Sequence, residues 1–392
     1  MEGVYIVDGA RTPFGSYGKA FATVSATELG VLTAKEAIQR AEMEANEIDN
    51  IVYGNVIQSS TNAAYLARHI GLNANVPIET PALTVNRLCG SGMQSLISAA
   101  QSMLLNESNI ALVGGAENMS MSPHASFTSR FAGMKYGSME FVDMLTHTLT
   151  DEYIGTGMGI TAETLAERYK ITREEQDEFA LQSQWRAKEA KDKKYTEEEI
   201  IPVNVGADTV SFDEHPKPDV SKQQLSHLRP VFKKDGTVTS GNASGINDGA
   251  VSLILVNGLK RATMTKKPLA KIVSWAVAGV DPAQMGIGPV PAIQKALQKA
   301  NLSLEKIDRF EINEAFAAQY LAVEKELGLQ REITNVNGGA IAYGHPVGAS
   351  GTRIVLSLAY ELKRKGLRYG VASLCIGGGQ GIALIIENIN NE

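Results

Sequence analysis

Only two cysteines occur among the 392 residues, basic charge is not in excess, and no apolar run reaches membrane-spanning length. Two cysteines cannot build a disulfide framework, and even one bridge would need an oxidising compartment. The formal net charge of -6 gives no overall attraction to nucleic acid or to an anionic membrane surface. No His or Cys pair has the spacing of metal ligands. The N-terminus opens on a strand-like run, Val4 to Val7, in place of the basic segment and long apolar stretch of a signal peptide. The cytoplasm is therefore the expected location. What remains is an ordinary globular composition, long enough for two or three domains.

Glycine surrounds what little sulfur there is. Cys89 lies in VNRLCGSGMQS and Cys375 in ASLCIGGGQG, while a third glycine-rich turn, NGGAIAYGHPVGASG, holds His345. Such turns bend sharply and let a ligand approach the backbone closely. Two thiols and an imidazole presented in this way point to a reactive site. The other five histidines have no comparable setting and are expected on surfaces or in satisfied cores.

The chain repeats itself. AIQRA at Ala37 ends a helix-like run before Ile48 and Asp49, as AIQKA at Ala292 does before Ile307 and Asp308. Short apolar strands follow, Ile51 to Tyr53 and Phe310 to Ile312, ending near Asn55 and Asn313. Val85-Asn86 and Val336-Asn337 each precede a glycine turn and a helix. GAVSLILVN at Gly249 matches GIALIIEN at Gly381. Apolar residues at Met93, Leu96, Ile97, Ala100 and Leu104 form the stripe of a core-facing helix. Nearly all-apolar strands alternating with helices indicate sheets covered on both faces. Two related α/β halves follow from this pattern. In the second half the strand ending at Cys375 turns directly into the Gly381 strand, whereas Val113 and Gly249 are far apart in sequence. The segment between them is an insertion. Its one firm element is a capping box from Thr172 to Glu175 that opens a helix carrying Phe179 and Trp185.

A helix starting near Gly90 would place Cys89 at its N-terminus, where the macrodipole and free N–H groups favour thiolate. His345 stands in the repeat-related turn and would accept the thiol proton, the pairing covalent catalysis requires. Cys375 ends a strand, where α/β proteins place their sites, and a thiol can serve as both acid and base. Asn313 is readable as a simple helix N-cap. GTGMG at Gly155 has no preceding strand and is not read as a dinucleotide loop.

The motifs VNRLCGSG, GGAENMS, GNASGINDGA, NEAFAAQ, NVNGGAIAYGHPVGASG and SLCIGGGQG, spread over essentially the whole chain, resemble those of the thiolases. The resemblance implies two βαβαβαββ-type halves packed as five α-β-α-β-α layers with an inserted loop domain. It places the first half at 1–120 plus 246–268, the insertion at 121–245 and the second half at 269–392. It implies an acyltransferase that condenses two acetyl-CoA molecules, or cleaves a 3-ketoacyl-CoA with CoA, with CoA as a substrate and no prosthetic group. By the same resemblance Cys89 carries the acyl group, His345 activates it and Cys375 moves the α-proton. Asn313 holds a water that, with His345, faces the enolate, and the N–H groups of Cys89 and Gly377 form an oxyanion hole. Ser244, Met158, Phe232, Met285 and Phe316 would line the pantetheine tunnel. Lys217 stands where many relatives carry an arginine facing the nucleotide, giving charge without a bidentate fork. Gly157 replaces the histidine usual in short-chain members and would widen the acyl pocket toward longer, degradative substrates. A homodimer or homotetramer is implied. Two rival readings are a decarboxylating ketoacyl synthase, which pairs cysteine with two histidines and needs no second thiol, and a silent acyl-CoA-binding protein on the same scaffold.

Overall fold

The computed structural model describes residues 3–131 and 135–389. Nine strands form the main sheet: β1 (Val4–Arg11), β2 (Asn50–Gly54), β3 (Ala82–Val85), β4 (Ile110–Asn118), β5 (Asn247–Asn257), β6 (Ala270–Gly279), β7 (Arg309–Ile312), β8 (Tyr369–Ile376) and β9 (Gln380–Glu387). A two-residue strand, Gly15–Ser16, adds to β5. The order is β7-β8-β9-β6-β1-β5-β4-β2-β3. Outward from the middle, β1-β5-β4-β2 is repeated as β6-β9-β8-β7. In both series the first two pairings are antiparallel and the last is parallel. The two half-sheets expected from the repeat are not separate, because β1 and β6 join antiparallel through Val4–Ile272, Tyr5–Lys271 and Ile6–Ala270. Edge strand β3 has no ladder equivalent in the second half, where Thr334 makes only an isolated bridge to Phe310.

The three largest hydrophobic cores among the described residues fill the spaces between five layers, the central one lying on both sides of the middle helices. The strands read as continuous apolar runs because both of their faces are covered. In β4, Ala111 and Val113 enter the central core while Ile110, Leu112 and Ala116 enter an outer one. In β9, Ile382, Leu384 and Ile386 face the centre, and Ala383 and Ile385 face the opposite outer core. The outer layers carry α1 (Ala26–Arg40) on the first half and α5 (Pro289–Ala300) with α6 (Ala317–Leu327) on the second. The middle layer is α2 (Ser91–Leu104) against α7 (Val347–Lys365), through Met93, Leu96, Ile354, Val355 and Leu358. These helices cross at glycines for a steric reason. A Cβ on Gly92 would stand 2.8 Å from the Gly348 carbonyl oxygen, and one on Gly351 would stand 2.4 Å from the Met93 nitrogen. The close crossing brings the N-termini of α2 and α7, and the turns before them, to one place.

The excursion between β4 and β5 holds α3 (Met158–Arg168) and α4 (Arg173–Asp192). The Thr172–Glu175 capping box is present at the start of α4. Although it leaves the first half, this segment lies over the second. Phe179 of α4 stacks on Tyr320 of α6 with centroids 4.1 Å apart. Ser183 donates to Glu314 at 2.6 Å, just before α6. Among the described residues no helix is long and apolar enough to cross a membrane.

Candidate active site

Chain reversal at Leu88, which takes the unusual positive φ of 47°, delivers Cys89 to the start of α2. Gly90 caps that helix without a side-chain acceptor, and the Gly90 and Ser91 N–H groups are taken by the Arg87 and Leu88 carbonyls at 3.0 and 2.9 Å. The N–H groups of Cys89 itself and of Gly377 both point at the Cys89 sulfur. From the other half, the Gly344 turn sets His345 just before α7. Gly344 has a φ of 96°, and a Cβ there would collide with the Asn247 side chain. Asn247 instead accepts from the His345 backbone N–H at 3.0 Å. The buried imidazole is fixed at both nitrogens. Nδ1 is 2.6 Å from Ser350 Oγ, and Ser350 donates its own proton to the Pro346 carbonyl at 2.9 Å. Nδ1 therefore carries the imidazole proton, and Nε2 presents its lone pair. Asn313 Nδ2 lies 3.4 Å from that Nε2.

A cavity of about 730 Å³ opens over these groups. Cys89, His345, Cys375 and Gly377 stand on it, together with Met158, Lys217, Phe232, Ser244, Met285 and Phe316. Asn313 does not line it. That residue is buried on the Nε2 side of His345, and its Oδ1 has no protein partner. Nor is Asn313 an N-cap: α6 begins at Ala317, capped by Phe316, because the intervening turn is held by Ala317 donating to the Asn242 carbonyl. Cys375, the penultimate residue of β8, is buried among Met285 and Ala315, with Met158 and Phe316 against them. The tunnel wall is aromatic, Phe232 meeting Phe316 edge-on at 5.9 Å. Phe232 packs where Gly159 has no side chain, a Cβ there falling 2.2 Å from the ring. The Ser244 N–H donates to the Ala315 carbonyl at 2.9 Å, joining the two walls.

Electrostatics corrects one expectation. Burial pushes the Cys89 thiol up to about 11, outweighing the two backbone N–H groups, and Glu117 raises it further. In the free protein Cys89 is a thiol, because removal from water penalises the thiolate more than the helix terminus favours it. Burial drives Cys375 higher still, and the proximity of Cys89 adds to this. His345 is held down to about 4 by burial and then by the nearby Arg353. The site at rest is thus uncharged: two thiols and a neutral imidazole.

A second correction concerns His215, which belongs neither to a surface nor to a satisfied core. It lines the cavity, held down to about 4 by burial and by Lys217. The signal was its place two residues before Lys217 in HPKPD. Nothing in the chain's patterning announced the apolar wall beside Cys89, made by Val56, Met119, Leu145, Leu149 and Val347. Most of these residues come from irregular segments without periodicity.

Paired thiols and a neutral imidazole at a long, largely apolar tunnel, set between repeated α/β halves, define a thioester-handling acyltransferase. The chain belongs to the thiolase family. The signature described as "Thiolase, N-terminal domain" matches residues 4–258, and "Thiolase, C-terminal domain" matches 266–388. The chain is 50% identical to the human "3-ketoacyl-CoA thiolase, mitochondrial", over 99% of each chain. The crystal structure of the human mitochondrial 3-ketoacyl-CoA thiolase in complex with CoA superposes with a TM-score of 0.96, at 49% identity and 98% coverage of both chains. That of the Bacillus anthracis acetyl-CoA acetyltransferase gives 0.95, at 47% identity and 99% coverage of both.

Proposed function

We propose that this thiolase works mainly in the degradative direction, on 3-ketoacyl-CoA substrates longer than acetoacetyl-CoA, through an acyl group carried on Cys89. The observation that carries this is the presence of Cys89, His345 and Cys375 on one cavity with an apolar wall beside Cys89. In cleavage the Cys89 sulfur attacks the 3-keto carbon while its proton passes to His345 Nε2. Because the thiol and imidazole rest neutral, that transfer accompanies attack instead of preceding it. The C2–C3 bond breaks, leaving the acyl thioester on Cys89 and the enolate of acetyl-CoA. Cys375 protonates C2 and becomes a thiolate. The incoming CoA thiol gives its proton to Cys375, attacks the acyl carbonyl and expels the Cys89 sulfur, which recovers its proton from His345. The N–H groups of Cys89 and Gly377 serve the acyl oxyanion. Asn313 Oδ1, lacking a protein partner, is suited to hold a water facing the enolate beside His345.

CoA is the substrate assigned to the tunnel, with Ser244, Met158, Phe232, Met285 and Phe316 along the pantetheine and Lys217 toward the nucleotide. The human relative solved with CoA supports this reading. Gly157 lines the cavity, and a Cβ there would make ordinary contacts with the Leu149 carbonyl oxygen at 3.5 Å and Thr150 Oγ1 at 3.9 Å; the missing side chain supports the preference for longer chains. Domain boundaries are proposed at 1–120 with 246–268, 121–245 and 269–392. A homodimer or homotetramer is proposed, and the exposed Phe127, Phe131, Tyr136 and Phe141 of the inserted segment favour further association there. The proposed compartment is the cytoplasm, supported by two unpaired cysteines; fractionation tests this against the mitochondrion named for several relatives. The deciding experiment is the thiolysis rate against 3-ketoacyl chain length. Specificity constants that rise from four carbons to longer chains support the proposal, and a maximum at acetoacetyl-CoA overturns it.

A further inference from the structure

Glu117, near the end of β4, is fully buried yet does not line the cavity. Four donors from both halves of the molecule converge on its two carboxylate oxygens. Oε2 accepts from the Val56 N–H at 3.0 Å and the Gly348 N–H at 2.9 Å. Oε1 accepts from the Ile57 N–H at 3.0 Å and from Asn55 Nδ2 at 3.1 Å. Gly348 belongs to the first turn of α7, three residues after His345. Val56 and Val347, the residues these donors belong to or adjoin, are part of the apolar wall against Cys89. The space is closed to anything larger, because a Cβ on Gly348 would stand 2.5 Å from Oε2. The sequence repeat explains the arrangement. Asn55 is the first-half equivalent of Asn313, and the start of α7 is the equivalent of the start of α2, which presents Cys89. Glu117, opposite Gly249 as Cys375 is opposite Gly381, thus occupies with the chain's own carboxylate the repeat-related counterpart of the catalytic site.

We propose that Glu117 is a positioning residue for acyl transfer, bracing the His345 turn and the Val56–Val347 wall against Cys89 by tying the β2 exit to the first turn of α7. The inference rests on Cys89 being the acyl carrier. Its reach matters as well as its charge, since one carboxylate spans backbone groups of both halves. Burial raises Glu117 to about 8 against these donors, so at the more alkaline pH where Cys89 titrates its charge supplies an independent readout. Glu117 faces Asp248 of β5 and acts on Cys89; the other groups bearing on that sulfur's surroundings are Cys375, and His345 with Arg353 behind it.

The test compares wild type with Glu117→Gln and Glu117→Asp in thiolysis, and in the pH dependence of iodoacetamide alkylation mapped to Cys89. Glu117→Gln is expected to lower kcat at least tenfold with KM for CoA within twofold, and to move the Cys89 alkylation midpoint to lower pH. Glu117→Asp, which keeps the charge but is one methylene shorter, is expected to restore the midpoint without restoring kcat. A role confined to stability would lower the yield of folded enzyme without changing kcat per folded molecule, so the fall in kcat at constant KM separates the two. Glu117→Gln with kcat within twofold of wild type overturns the proposal, as does full kcat in Glu117→Asp. Should Glu117→Gln fail to fold, Asn55→Ala, which removes a single donor, decides: a threefold or greater fall in kcat at constant KM supports it, and unchanged kcat overturns it. Absence of thiolysis and of any acyl adduct on Cys89 in the wild type would instead sink the assignment of Cys89.

Discussion

His345 Nδ1 lies 2.6 Å from Ser350 Oγ, and the Ser350 proton is already committed to the Pro346 carbonyl. A hydroxyl one turn into α7 thereby selects the imidazole tautomer, leaving Nε2 as the acceptor on the cavity side. Ser350→Ala should lower thiolysis kcat about tenfold, because the buried Nδ1–H loses its partner at a cost of about 1–3 kcal/mol and the ring loses its orientation. Steady-state kinetics with CoA KM measured alongside checks this; kcat equal to wild type contradicts the tautomer assignment.

The two sulfurs should separate by chemistry. Cys375→Ala is expected to leave acylation of Cys89 by a thioester within a few-fold of wild type and to abolish condensation and cleavage, whereas Cys89→Ala abolishes the adduct. Intact-mass measurement after incubation with acetyl-CoA distinguishes them. Condensation by Cys375→Ala at the wild-type rate would end the proton-transfer role.

Because the folded-state pKa of His345 is depressed to about 4 from 6.5, the unfolded chain takes up a proton in that interval that the folded chain does not. Its effect on stability is therefore absent above pH 6.5 and becomes destabilising as pH falls toward 4, by on the order of 3 kcal/mol. His215 is shifted in the same sense, so the measurement is a difference. Denaturant unfolding of wild type and His345→Asn should show the wild type losing stability more steeply between pH 6.5 and 4. Parallel curves would refute the shift.

Gly157→His is expected to narrow the acyl pocket and raise the preference for acetoacetyl-CoA over an eight-carbon 3-ketoacyl-CoA about tenfold, a change of about 1.4 kcal/mol. Competing-substrate assays read this directly. An unaltered ratio would remove Gly157 from chain-length selection.

At the crossing of the middle helices, Gly92→Ala should lower stability by about 3 kcal/mol, since the new methyl meets backbone atoms on α7 that cannot rotate away. Chemical denaturation gives the value, and a loss below about 1 kcal/mol would show that the helices can separate cheaply.

Much of this architecture was written locally. The strands at Ile51, Ile110, Gly249 and Gly381, the stripe from Met93 to Leu104 and the Thr172–Glu175 capping box all follow from periodicity and short-range side-chain chemistry. The repeat, an internal comparison within one chain, announced two halves and an insertion. The glycine turns announced reactive sulfur. Each of these depends on neighbours a few residues apart, which a linear sequence records.

Other features depend on groups that only folding brings together. The sequence placed Cys89 at a helix start and so suggested thiolate; the enclosing walls of both halves decided for the thiol, because desolvation sums over everything packed around the sulfur. Asn313 looked like a cap until the Asn242 carbonyl, from the inserted segment's far end, took the Ala317 N–H. His215 had as local signal only its place beside Lys217, and became a cavity residue when its loop met Gly245. The residues themselves fix identity and periodicity; burial, electrostatic environment and the meeting of distant turns are sums over space, and only the tertiary structure performs them.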